Sequence, residues 1–214
     1  MKFNMKHLVV LLGMAAAPAA YSQELYSQAW DGTGNGWLST TSDTAVYESF
    51  QVDPSSSDHI KVDSIDWVGS YTPNYGPVNP QFDIQVYDST GSSLVAERIG
   101  QATETALPNG NALFTPNFSY SLDLSNDKLA LYSGYYYLVI QAILPAVQGA
   151  WYWDTASSGL GASTIYSAYG SPTWLDTNVN FAFTLNGTVP EPETLLLLVP
   201  ALIGLGFSRK SQKA

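Results

Sequence analysis

The chain has 214 residues, eight basic and eighteen acidic side chains, and no cysteine. Those counts leave room for one ordinary domain and remove disulfides, zinc thiolates and thiol nucleophiles. Only Lys61, Arg98 and Lys128 lie between residues 23 and 188, against sixteen carboxylates, and a surface so acidic repels phosphate backbones, which excludes nucleic acid as a partner.

Read in chain order, the first element is a leader. Lys2 and Lys6 precede an apolar run from Leu8 to Ala20, and small residues stand at Ala20 and Ser22. A basic start, a short apolar stretch and a small-x-small site define a signal peptide over residues 1–22, cleaved after Ser22 and too short to span a bilayer permanently.

The middle segment, 23–188, alternates at the period of strands and shows no helical periodicity. Phe82, Ile84 and Val86 share one face of the run Gln81 to Asp88, and Val179, Phe181, Phe183 and Leu185 share one face of Asn178 to Leu185. Further strands are expected over Glu24–Trp30, Thr44–Val52, Ile60–Tyr71, Ser93–Ile99, Asn117–Leu124, Tyr135–Leu144, Ala150–Asp154 and Ser163–Tyr169. Within Ile60–Tyr71 the apolar phase switches from Ile60 and Val62 to Ile65 and Trp67, which predicts a bulge near Asp63 and Ser64. Turn chemistry such as Asp88-Ser-Thr-Gly91 separates these runs. About ten short strands so punctuated give an all-β fold, an antiparallel β-sandwich with a jelly roll as a topology that suits them.

Functional chemistry is limited by inventory. After leader removal His59 is the only histidine, so histidine-rich metal sites are excluded, and its place at a strand start suits a surface side chain. Asp31-x-Thr33-x-Asn35-Gly36 mimics the first half of a calcium loop, but Ser42 stands where the twelfth-position acid belongs, and a glycine-rich turn between two strands explains the segment more simply. Calcium there, or near Asp53 and Asp58, is the one metal the sequence admits. Asp63, Asp66, Asp83 and Asp154 lie on or beside strands, and two of them across a groove floor would suit a glycosidase. Asn117-Phe-Ser119 and Asn186-Gly-Thr188 fit the glycosylation pattern.

Aromatics supply the remaining candidates. In Trp151-Tyr152-Trp153-Asp154 the indoles share one face, and either they enter the core or they offer a stacking surface for sugar rings. If they are core, Tyr152 faces outward, beside Trp174 should the Ser171-Pro172 turn fold back, with Asp154 accepting hydroxyl hydrogen bonds. Tyr152, Trp174 and Asp154 are therefore the candidate ligand-binding residues.

The C-terminal segment, 189–214, runs Val189-Pro190-Glu191-Pro192-Glu193-Thr194, then uncharged to Ser208, then Arg209 and Lys210. Residues 194–208 would rise roughly 22 Å as a helix, a short membrane span with a basic stop that puts the C-terminus inside. Pro190-Glu191-Pro192, the leucine-rich stretch broken by Gly204 and Gly206, and the basic end together resemble a PEP-CTERM sorting signal. That resemblance implies a Gram-negative host, an exosortase that recognises Pro190, Glu191 and Pro192, an inner-membrane precursor held by the C-terminal helix, and association with exopolysaccharide. The resulting expectation is a non-enzymatic cell-surface or extracellular-matrix protein. A glycan-binding module and a carboxylate-dependent glycoside hydrolase are the alternatives.

Overall fold

The computed structural model describes residues 22–41, 44–53, 59–72, 80–108, 116–144, 149–161, 163–167 and 173–189, and within them the alternating segments pair into two antiparallel sheets. In chain order the strands are β1 (Gln23–Gln28), β2 (Gly36–Leu38), β3 (Thr44–Val52), β4 (Ile60–Tyr71), β5 (Gln81–Asp88), β6 (Leu94–Gln101), β7 (Thr103–Ala106) and β8 (Asn117–Asp123). There follow β9 (Leu129–Leu131), β10 (Gly134–Ile143), β11 (Trp151–Ala156), β12 (Ser163–Ser167), β13 (Thr173–Thr177), β14 (Asn180–Phe181) and β15 (Phe183–Thr188).

One sheet has six strands in the order β13-β12-β3-β10-β5-β6; the other has nine, running from the edge strand β1 through β15 to β4, with β8 on the far side of β4. Setting aside β2, β7, β9 and the excursion β11 to β14 leaves β1-β15-β4-β8 facing β3-β10-β5-β6. Each sheet then alternates early and late strands, first beside last and second beside next to last. That interleaving is the double Greek key of a jelly roll.

The bulge expected in β4 is present: Val62 faces Gly187 and Ser64 faces Asn186, so Asp63 is the extra residue that restores the inward phase for Ile65 and Trp67. A Cβ on Gly187 would lie 2.0 Å from the Lys61 carbonyl oxygen, so the partner strand needs a glycine there. The run Asn178–Leu185 is not one strand. It divides at Ala182, whose N–H donates to the Asp154 carbonyl (2.9 Å) while its own carbonyl accepts from Val68 (3.4 Å). The chain there leaves β11 for β4, yet Phe181 and Phe183 still both point inward.

Aromatic rings join the layers. Phe82 of the six-stranded sheet meets Trp67 at 4.8 Å, Tyr120 at 5.0 Å and Trp151 at 5.1 Å between ring centroids, all edge to face. Trp151 and Trp153 are fully buried, which assigns the indoles to the core and leaves Tyr152 on the other face. Because β1 pairs with β15, with Gln23 opposite Gly187, the chain enters and leaves the domain side by side in the nine-stranded sheet. Among the described residues no helix is long and apolar enough to cross a membrane. Residues 1–21 of the expected leader, the expected helix 194–208 and Pro190, Glu191 and Pro192 lie outside the described residues.

Candidate functional site

The outer face of the six-stranded sheet follows from its register, because residues directly opposed across strands share a face. Asp176 of β13 stands opposite Thr164, Thr164 opposite Tyr47, Tyr47 opposite Val139, Val139 opposite Gln85, and Gln85 opposite Glu97 of β6. Next to this row Ser49, Tyr137 and Tyr87 are opposed in the same way. Inward positions are taken by Val46 and Phe50 in β3 and by Phe82, Ile84 and Val86 in β5. Strand alternation therefore puts Tyr47, Tyr87, Tyr137 and, from β12, Tyr166 on the wet side, where each is half-buried.

Two of these tyrosines, Tyr47 and Tyr137, form one wall of a concavity of about 330 Å³ that Thr90, Gly91, Ser92 and Thr164 also line. Its rim is the β5–β6 hairpin. Asp88 Oδ1 accepts from the Thr90 N–H (3.1 Å) and hydroxyl (2.6 Å), and Gly91 closes the turn at a φ of 69°, a left-handed conformation that favours glycine. The Thr90 hydroxyl bond is also the main reason the Asp88 carboxyl sits below its ordinary pKa. Tyr47 and Tyr87 lie 5.5 Å apart between centroids, and burial, then Tyr87, pushes the Tyr47 phenol up to about 12.

A polar relay supports the tyrosine wall. The Tyr87 hydroxyl donates to Gln85 Oε1 (2.7 Å), and Gln85 Nε2 donates both to Asp83 Oδ2 (2.9 Å) and to Glu97 Oε1 (3.1 Å). Asp83 is only 9% exposed, its Oδ1 has no protein partner, and burial followed by the Glu97 charge raises its pKa. The arrangement offers flat rings, rotatable hydroxyls and acceptor oxygens, a set suited to hydrogen-bonding a polyhydroxylated ligand while stacking on its apolar side.

The residues singled out in the sequence fall elsewhere. Tyr152 lies half-buried on β11 of the nine-stranded sheet, opposite Leu38 and Ser70, whereas Trp174 belongs to β13 at the edge of the six-stranded sheet, in register with Tyr166. The turn Ser171-Pro172 that would bring them together lies outside the described residues. Asp154 is not presented to solvent: it is fully buried, accepts from Ser70 (2.9 Å) and Asn117, and burial pushes its pKa up to about 7. The same contact buries Asn117, so only Asn186, half-buried and bonded to Asp66 (2.6 Å), keeps its glycosylation motif near the surface.

The four acids considered for hydrolysis do not converge. Asp63 pairs with Lys128 (2.7 Å), Asp66 holds Asn186, Asp154 is internal, and Asp83 belongs to the opposite sheet. Asp31 Oδ1 accepts from the Thr33 N–H (2.8 Å) and hydroxyl (2.7 Å), and its Oδ2 takes the Thr155 hydroxyl (2.5 Å), so this loop is built as a side-chain-capped turn. No group of three metal-ligating side chains occurs among the described residues. His59 leans on Tyr132, with centroids 5.6 Å apart.

Sequence reasoning missed the groove because its tyrosines come from β3 and β10, segments far apart in the chain. The available signal was the outward phase: where Phe82, Ile84 and Val86 point in, Tyr87 must point out, and a large aromatic on a wet face is informative. No protein-family model matches this chain, and no curated protein matches it.

Proposed function

We propose that this protein is an exported, surface-sorted polysaccharide-binding protein, whose jelly-roll domain holds matrix glycan in the tyrosine-lined groove of the six-stranded sheet. The observation that carries this reading is the groove of about 330 Å³ walled by Tyr47 and Tyr137 and rimmed by the hydroxyls of Thr90, Ser92 and Thr164. The C–H face of a pyranose ring is apolar and its edge bears hydroxyls. A tyrosine wall takes the first, and hydroxyls that both donate and accept take the second. The volume lies in the lower range of small-ligand sites, with the outer sheet face available for a longer chain.

Export and sorting rest on the two terminal signals, the leader 1–22 and the Pro190-Glu191-Pro192 segment with its short helix. In the precursor the helix would hold the domain at the inner membrane until an exosortase acts. The groove belongs to the sheet that carries neither β1 nor β15, so tethering at the termini leaves it facing away from the attachment. Binding is favoured over hydrolysis because the outer-face carboxyls Asp83 and Glu97 are bridged by the Gln85 amide, which stands where a glycosidic oxygen and a water would be needed.

The test is retention on the exopolysaccharide of the producing strain. The wild-type protein is expected to be retained and the double variant Tyr47→Ala, Tyr137→Ala to pass through with its fold intact by circular dichroism. Equal retention of the two would remove the groove from the account.

A further inference from the structure

We infer that, in the membrane-held precursor, the domain rests on the outer surface of the inner membrane with Tyr132 and Tyr135 in the lipid headgroup layer. Resting on the sorting reading and its span over residues 194–208, this adds the surface that meets the bilayer. The chain leaves the domain at one end of the sandwich. Thr188 and Ala130 lie on either side of Lys61, two strand spacings or roughly 10 Å apart, so β9 ends beside the exit, and Tyr132 is the second residue beyond Ala130. In the facing sheet Gly134 is opposed to Val52, and Val52 lines a recess of about 160 Å³ together with Gln23, Ile60 and Val189. Tyr132 and Tyr135 thus flank the crossover from β9 to β10 at the end where the chain both enters and leaves.

Reach fixes what this end meets. Residues 190–193 alone separate Val189 from the expected start of the span at Thr194, and those five peptide steps cover no more than about 18 Å. The headgroup layer takes up roughly 6 Å of that, so the exit cannot stand more than about 12 Å clear of the lipid. The side chains there suit that layer. Tyr132 is 63% exposed and Tyr135 56%, each a flat apolar ring that ends in a hydroxyl, the build that collects at membrane interfaces. Tyr132 is braced from behind: its ring meets His59, with centroids 5.6 Å apart, and its carbonyl accepts from the Tyr136 hydroxyl (3.1 Å). Around the exit the exposed charges among the described residues are Glu24, Asp53 and Lys61, a net negative set, so the contact depends on the phenols and not on attraction to anionic lipid.

The chain has no cysteine, so a single one can be placed for labelling. Ser133→Cys, exposed between the two tyrosines, and Gln101→Cys, exposed at the far end, each carry a fluorophore in the full chain inserted in phosphatidylcholine nanodiscs that contain a headgroup-nitroxide lipid. Gln101 shares a row with Ile143, which stands eight residues along β10 from Tyr135, roughly 26 Å away. The label at position 133 should lose most of its fluorescence and the label at position 101 should keep it. Adding Tyr132→Ser and Tyr135→Ser to the first variant should restore the signal without lowering the melting temperature, while the chain still elutes with the nanodiscs. An unquenched label at position 133, or quenching that survives the double change, overturns the inference and leaves the sorting reading standing. A chain that does not elute with the nanodiscs overturns both.

Discussion

The Tyr87 hydroxyl donates to the Gln85 amide oxygen at 2.7 Å, and through that amide the tyrosine ring is tied to Asp83 and Glu97. A ring held by its own hydroxyl gives Tyr47, its centroid 5.5 Å away, a fixed neighbour, so the groove wall loses less rotamer entropy on binding. Tyr87→Phe removes the tether and keeps the ring. It should leave the melting temperature within a few degrees of wild type and weaken glycan binding by about 1 kcal/mol, the net value of one hydrogen bond. Titration of the variant with the host glycan checks this, and unchanged affinity would show that the relay does not position the wall.

Phe181 and Phe183 are buried on β14 and β15 against Trp153, with centroids 5.4 Å and 6.2 Å from its ring. Either change to alanine removes a large ring from a filled interior and should destabilise the domain by about 3 to 5 kcal/mol. Chemical denaturation of the two variants measures it; a wild-type midpoint would mean that the interior closes over the cavity without cost.

Glu48 points between the sheets, where it accepts from the Phe181 N–H (3.2 Å), and burial, partly offset by Gln28 and that N–H, pushes its pKa up to about 8 from 4.5. The folded protein thus keeps a proton that the unfolded chain has released. Stability from this group is fully present below about pH 4.5 and is lost as pH rises to about 8. Asp154, raised to about 7 from 3.8 chiefly by burial, acts with the same sign and is lost as pH rises through about 7. Melting temperature should therefore fall between pH 7 and 8 in the wild type and fall less steeply there in Glu48→Gln, where only Asp154 still titrates, and that variant should also melt higher at pH 8. A rise over that interval would contradict the assignment.

Sorting is tested at Pro190, Glu191 and Pro192. Replacing the three by alanine should leave export intact while uncleaved precursor accumulates in the inner membrane. Normal processing of that variant on immunoblots would separate this protein from exosortase substrates.

Much of the scaffold is readable from residue order. Val62, Asp63, Ser64 and Ile65 announce the bulge through a phase change, and β3, β4 and β5 have the bounds that alternation assigns them, because each is long enough for burial of one face to outweigh local preference. The strands β2, β7, β9 and β13 have between three and five residues and little alternation of their own. Their structure is imposed by neighbours such as Tyr120, opposite Glu104, and Tyr166, opposite Trp174. Trp151 and Trp153 are ambiguous in sequence because a large apolar ring suits both core and sugar. The groove was hidden for a different reason: Tyr47, Tyr87 and Tyr137 become neighbours only when the strand order β3-β10-β5 is known.

The central claim is that glycan binds to the tyrosine face of the six-stranded sheet. The most direct measurement is nuclear magnetic resonance of the protein labelled at tyrosine, titrated with oligosaccharides cut from the host exopolysaccharide. Signals of Tyr47, Tyr87 and Tyr137 should move together and saturate, with Tyr152, on the other sheet, unmoved. Movement of Tyr152 alone, or none at any tyrosine at saturating glycan, would contradict the account.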